Sequence, residues 1–318
     1  MSNISPIDGR YKKNVSELET FFSEQALMRH RVMVEVEYLL ALVEHRSFQK
    51  TRALSKKTLS SLKGLYVEFS ATHFKQIKKI EKKTNHDVNA VVVFVSEKLK
   101  KLGRGDLVPF VHFGLTSEDI NNISYSLMTQ GAVEDVMIPS VKRVLKELKA
   151  LSKKTKSLSL LSLTHGQPAT TTTLGKELAV FVSRVEREIA LIKKMKLLAK
   201  LSGATGSYAA HRVAFPDFNW PLFSKRFIKK LGLEQSPIST QIEPGDSLAE
   251  LLHSFVRINN IFSDFSLDMW LYISRNIFVQ KNIVGEVGSS TMPHKINPIF
   301  FENAEGNLDI ANNNFSFL

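Results

Sequence analysis

The stretch LAELLHSFVRINNIFSDFSLDMWLY, residues 248–272, decides the architecture. Leu248, Leu251, Leu252, Phe255, Ile258, Phe262, Phe265, Met269 and Tyr272 recur three or four residues apart, which is the spacing of one face of an α-helix. No glycine or proline interrupts them. A helix of about 30 residues is about 45 Å long, more than an ordinary globular domain needs. Such a stripe requires equally long partners, and the chain supplies candidates. Val133, Val136, Met137, Val141, Val144, Leu145, Leu148 and Leu151 mark one, with Pro139 set to kink or break it. Leu174, Leu178, Phe181, Val182, Val185, Ile189 and Ile192 mark another, reaching about Leu201.

Upstream the pattern is also helical. Ser16 with Glu19 has the spacing of a capping box, ahead of Leu18, Phe21, Phe22, Gln25, Met28, Val32, Val36, Leu39 and Val43. A further helix is expected from about Leu59 to Glu81, and another from Asp87 to Leu102, closed by Gly103. No repeat of 20–50 residues is present, which excludes a solenoid. The expectation is an all-α protein: a small N-terminal helical domain over 1–106, then an elongated long-helix bundle over 107–318 that other subunits complete. The boundary falls in GRGDLVP (103–109), where Gly and Pro punctuate the chain.

Composition narrows the function classes. The 318 residues include no cysteine, so thiolate chemistry and disulfides are excluded. The opening MSNISPIDGRYKK has no apolar core of a secretory signal, and no run approaches a membrane span, so a cytoplasmic location and no membrane partner are expected. The net charge of +12 invites a nucleic-acid reading. Its layout does not support one. The lysines of KKIEKK (78–83), KLKKLGR (98–104) and KKTK (153–156) sit at the ends of helical patterns without interleaved aromatics, so no nucleic-acid partner is expected.

The chemistry lies between the helices. TNHDV (84–88), HFGLTSEDI (112–120), LTHGQPATT (163–171), SGATGSYAAH (202–211), TQIEPGD (240–246) and GEVGSSTMPHKINP (285–298) each mix hydroxyl or amide residues with His, Asp, Gln or Lys. Thr116 and Ser117 before Glu118 and Asp119 read as an N-cap with an acidic first turn, next to a ready anion site. Four of the nine histidines, His86, His112, His165 and His294, fall in these loops, and His211 closes another. No HExxH and no i, i+4 histidine pair is present, so no metal site is expected. No phosphate-cradling glycine motif occurs either. Ser289 and Ser290 stand in neither G-x-S-x-G nor S-x-x-K. What remains is acid–base chemistry without a cofactor.

SSTMPHKINP (289–298) resembles the signature loop of the fumarase/aspartase superfamily: a Ser-Ser pair, then Met-Pro, then Lys and Asn two apart. SPIDGRY (5–11), TNHDV, HFGLTSEDINN and THGQPAT, in that order, make the chain similar to the adenylosuccinate lyase family within it, in particular the bacterial branch. The resemblance runs from Ile4 to about Asn307. It implies all-helical homotetramers with shared active sites, no cofactor, and a nucleotide substrate. The implied reaction is β-elimination of fumarate from adenylosuccinate, leaving AMP, and from the succinylated imidazole carboxamide ribotide of purine synthesis. Argininosuccinate lyase or a cycloisomerase, and an inactive helical scaffold, are the alternatives.

By resemblance Ser289 is the general base that takes the carbon-bound proton, helped by the Lys295 cation and the backbone N–H groups around it. His165 is the general acid that protonates the leaving nitrogen, a task suited to an imidazole. Lys295, Asn297, Thr116 and Ser117 match ligands of the succinyl carboxylates. Arg10 and Tyr11, with Asn85, His86 and Asp87, match nucleotide contacts, and Gln241 matches a substrate-contacting amide. His112, His211 and Glu302 are left between packing and supporting roles. Gly245 departs from the histidine that relatives tend to carry. The end at NNNFSFL falls inside an expected long helix, so a truncated lyase lacking its C-terminal helical domain, and poorly active, is the expectation.

Overall fold

A computed structural model describes residues 4–45, 47, 54–281, 292 and 296–317. The chain groups into two compact units, Met1–Met137 with Lys196–Gly245, and Ile138–Met195 with Asp246–Leu318. The boundary expected at 106/107 does not coincide with this division, because the helix Ser117–Ala132 packs on Glu24–Glu44.

The first unit is built around α1 (Glu24–Glu44), capped by Ser23, whose hydroxyl accepts the Ala26 N–H at 3.1 Å. The Ser16–Glu19 capping box is not formed. Ser16 donates back to the Lys13 carbonyl at 3.2 Å within a short helical turn, and the long helix starts a turn later. α1 is buried on all sides, from Met28 and Val32 to Tyr38, Leu39, Leu40 and Leu42. A helix with no solvent face needs neighbours all round. These are α2 (Lys56–Val67), α3 (Ala71–Thr84), α4 (Asp87–Lys101) and α5 (Ser117–Ala132). The single helix expected from 59 to 81 is two, since Ser70 and His73 form a capping box that starts α3 afresh.

In the second unit α6 (Ile138–Lys154) packs on α7 (Leu174–Ile192), α7 on α10 (Asp246–Ser274), and α10 on α11 (Ile299–Phe317). Pro139 does not kink α6. It stands in the first turn, where its missing N–H is no loss, directly after a π-helical turn over Val133–Met137. α7 stops at Ile192, short of the expected Leu201, as the chain leaves for the other unit. Glu188 is buried and accepts from Arg257 at 2.8 Å, tying α7 to α10. Asn259, Asn260 and Asn312 exchange amide hydrogen bonds between α10 and α11.

Strand is sparse. β1 (Ser159–Thr164) and β2 (Gln167–Thr173) form an antiparallel hairpin between α6 and α7. β3 (Leu198–Ala199) pairs in parallel with β4 (Glu234–Gln235) in the first unit, where the short α8 (Ala209–Ala214) and α9 (Trp220–Lys230) lie between them in sequence. None of the described helices is long and apolar enough to cross a membrane.

Candidate active site

Arg31, Glu35 and Tyr38 of α1 are buried polar side chains at i, i+4 and i+7, so they share one face; the same helix also buries His30 and Glu37. Arg31 pairs with Asp87 at 2.7 Å and donates to the Asn121 amide oxygen at 2.9 Å. Glu35 accepts from His112 Nδ1 at 2.6 Å. The Tyr38 hydroxyl donates to the Phe113 carbonyl at 2.8 Å and lies 3.1 Å from His211 Nε2. Each rung therefore holds one of the loop motifs: TNHDV, HFGLTSEDI or SGATGSYAAH.

The hydroxyl geometry fixes a tautomer. With its single proton committed to Phe113, Tyr38 can only accept from His211, so Nε2 carries the imidazole proton. His211 Nδ1 is then a buried acceptor that no described residue satisfies. Burial pushes the His211 pKa down to about 4 and the Tyr38 pKa well up, so both are neutral at neutral pH. The ring packs against Trp220 at 4.5 Å between centroids, and against Gly114, where an added Cβ would come within 2.7 Å of it. Gly114 has φ +68°, which also disfavours any side chain there.

Thr116 is the N-cap of α5 in a capping box, its N–H bonded to Asp119 at 2.8 Å, and Ser117 is the first helical residue. Asp119 does more than cap. Fully buried, it pairs with the equally buried Lys200 at 3.0 Å and accepts the Ser202 and Gly203 N–H groups at 2.9 and 3.1 Å. The Asn122 amide accepts the Lys200 N–H at 2.9 Å and donates to the Lys200 carbonyl at 3.1 Å. Ser202 bonds Ser239, and the Glu243 N–H donates to Glu118, whose pKa burial raises. Loops 112–119, 200–206 and 239–243, the last holding exposed Gln241, are thus one polar construction.

Of the residues expected at the site, Asp87 is paired with Arg31 of α1, while Thr116 and Ser117 open α5 beside Asp119. Burial opposes ionisation of Asp87, but Arg31 and the Val88 N–H outweigh it and hold its pKa below the usual range. Asn85 ends α3 in the left-handed conformation at φ 51°, and His86 caps α4, its Nδ1 accepting the Asn89 N–H at 3.2 Å. Arg10 and Tyr11 stand in the turn before the first short helix, Arg10 exposed. His165 and Asn297 belong to the second unit. His165 and Gly166 are the two turn residues of the β1–β2 hairpin, both at positive φ, 54° and 72°, which presents the imidazole to solvent. Asn297 lies just before α11. Ser289 and Lys295, like His294, lie outside the described residues. Among the described residues no cluster of three His, Asp or Glu is placed to hold a metal ion.

Sequence reasoning passed over Arg31, Glu35, Tyr38 and Lys200, and took Asp119 only as an acidic first-turn residue. The available signal was the set of charged and polar residues, Arg31, Glu35 and Tyr38 among them, on a helix rich in Val and Leu, which a buried helix does not keep without partners.

The family described as Lyase matches residues 9–309. The chain belongs to it. Its curated relatives include adenylosuccinate lyase of Escherichia coli K12, 44% identical over 313 residues that cover 98% of this chain and 69% of that one. Adenylosuccinate lyase of Dictyostelium discoideum is 46% identical over 98% of this chain and 68% of its own. Among solved structures, fumarate lyase from Mesorhizobium sp. BNC1 superposes with a TM-score of 0.71 at 18% identity, over 95% of this chain and 64% of that chain. The β-carboxy-cis,cis-muconate cycloisomerase from Acinetobacter calcoaceticus sp. ADP1 gives 0.68 at 20% identity, over 95% and 65%. The chain spans under two thirds of these solved chains, and they show its fold, the all-α fumarase/aspartase type.

Proposed function

We propose that this lyase eliminates fumarate from adenylosuccinate, leaving AMP, and from the succinylated imidazole carboxamide ribotide of purine nucleotide biosynthesis. The observation that carries this reading is the 44% identity to an adenylosuccinate lyase along 98% of the chain.

The chemistry asks for three things. A proton leaves the carbon beside one succinyl carboxylate, its electron pair forms the fumarate double bond, and the carbon–nitrogen bond breaks as the nitrogen takes a proton. Ser289 takes the carbon-bound proton, and His165 supplies the nitrogen's. The hairpin tip suits that donor, since a two-residue turn on a paired ribbon projects one imidazole without enclosing it. Charge that accumulates on the carboxylate in the transition state is met by Lys295, Asn297, Thr116 and Ser117, with the α5 N-terminus adding its own donors. Arg10, Tyr11, Asn85, His86 and Asp87 hold the nucleotide, and Gln241 contacts the substrate. These groups meet in a cytoplasmic homotetramer whose sites are shared between subunits. No nucleic acid and no membrane take part.

Fumarate release from adenylosuccinate, from the imidazole ribotide and from argininosuccinate, measured side by side, tests the reading. Release from the first two alone is the expected result. Release from argininosuccinate alone would move the chain to another branch of the family, and release from none with retention on DNA would leave a helical scaffold.

A further inference from the structure

Glu35 is a carboxylate with no exposure at all, in the middle of the most buried helix of the chain. One oxygen meets His112 Nδ1 at 2.6 Å, and the other finds no hydrogen-bond partner among the described residues. Its neighbours along the same face are committed elsewhere, Arg31 to Asp87 and Asn121, and Tyr38 to Phe113 and His211. A buried carboxylate left with one partner is costly unless that partner is a cation. His112 is also held in a conformation it does not prefer, with φ 58° in the left-handed region. Strain of this kind persists where the surroundings fix it, and it clusters at working sites. About a fifth of the His112 side chain remains open to solvent, on the loop that leads into Thr116 and Ser117.

We propose that Glu35 is a positioning residue for the elimination: it keeps His112 as an imidazolium whose free Nε2–H is offered to an anionic group of the substrate. This rests on the reaction proposed above. With Nδ1 given to Glu35, the ring has one N–H left, so its charge and its direction are set by a residue that never meets the substrate. Burial alone would lower the His112 pKa, but the hydrogen bond and charge of Glu35, with a smaller contribution from Asp119, raise it above the ordinary value. The other groups bearing on the ring do not compete. Asp119 on α5 acts in the same direction as Glu35, while Tyr38 on α1 and His211 on α8 are neutral at neutral pH.

The test is a histidine titration by NMR on the full chain, the His112 signal identified by its loss in His112→Gln, together with adenylosuccinate kinetics across pH. The His112 midpoint is expected above about 6.5 in the parent and clearly lower in Glu35→Gln. Loss of a charge-assisted hydrogen bond to the substrate corresponds to about 10- to 100-fold in binding. Glu35→Gln should therefore raise KM by that order near neutral pH, with the pH of the KM rise moved down and kcat changed less. In a His112→Gln background, Glu35→Gln should add nothing further. Additive effects, or a His112 midpoint that ignores Glu35→Gln, overturn the proposal. If Glu35→Gln fails to fold, the parent titration decides, and a midpoint at or below the ordinary value overturns it. The titration needs no turnover. A protein that cleaves no adenylosuccinate removes the proposed reaction and the substrate half of this inference, while a normal enzyme with an unmoved His112 removes this inference alone.

Discussion

The Asp119–Lys200 pair is where a single substitution should do most damage to the site's framework. Both side chains are fully buried, 3.0 Å apart, and the carboxylate also accepts three backbone N–H groups, from Thr116, Ser202 and Gly203. Asp119→Asn keeps the shape and removes the charge. Among the described residues, Lys200 would then hydrogen-bond only to neutral acceptors, such as the Gly203 carbonyl at 2.8 Å, with no carboxylate to answer a buried ammonium. One amide NH2 would also point where a backbone N–H now donates. Removing one partner of a buried pair costs about 3–5 kcal/mol, a large part of the 5–15 kcal/mol that holds a typical domain together. Urea unfolding followed by emission from Trp220, which is buried in the same unit, should show a midpoint lowered in that proportion at unchanged slope. Asp119→Asn/Lys200→Met, which removes the stranded charge, should be more stable than the single variant. A single variant within about 1 kcal/mol of the parent, or a double variant less stable than the single, would refute the argument, since either means the pair is not desolvated as described.

Three further outcomes are expected. His211 has a folded pKa of about 4 against an ordinary 6.5, so the unfolded chain binds its proton first as pH falls. Stability from this residue is complete above about pH 6.5 and is lost between there and about pH 4, to about 3 kcal/mol, and His211→Gln should flatten urea midpoints in that window. Gly114→Ala puts a Cβ 2.7 Å from the His211 ring at a positive φ, and should lower stability by about 1–3 kcal/mol in the same unfolding assay. Lys295→Ala removes a cation from the signature loop and should weaken kcat/KM for adenylosuccinate by about 10-fold or more, the worth of a charge-assisted hydrogen bond. Unchanged kinetics would count against its role.

How much of this was legible in the sequence depended on the element. Leu248–Tyr272 appears as Asp246–Ser274, because an apolar stripe of seven turns with no breaker admits no other periodicity. The span from 59 to 81 misled, since a capping box inside it left the hydrophobic spacing intact while restarting the helix at Ser70. α7 ended early at Ile192 for a reason periodicity does not carry, the crossing of the chain from one unit to the other. Thr116 and Asp119 were readable as a cap from local spacing alone. The partners that make Asp119 a framework residue, Lys200, Ser202 and Gly203, lie some 80 positions away, beyond any local pattern. Glu35 and Tyr38 were hidden in the same way, as residues of a helix whose whole circumference is buried. The hairpin under His165 was missed because the exposed strands of β1 and β2 offer no core-facing alternation. Ser289 and Lys295 came only through the resemblance of the signature loop to a family.

The measurement that tests the account most directly is fumarate release at saturating adenylosuccinate by Ser289→Ala, set beside the parent and Ser290→Ala. A residue that takes the proton in the transition state contributes about 100- to 10,000-fold in rate. The expected result is measurable turnover, even if slow, by the parent and by Ser290→Ala, with Ser289→Ala slower than the parent by that factor and still able to bind the substrate. Near-parental turnover in Ser289→Ala, with Ser290→Ala inactive, would contradict the assignment of the base.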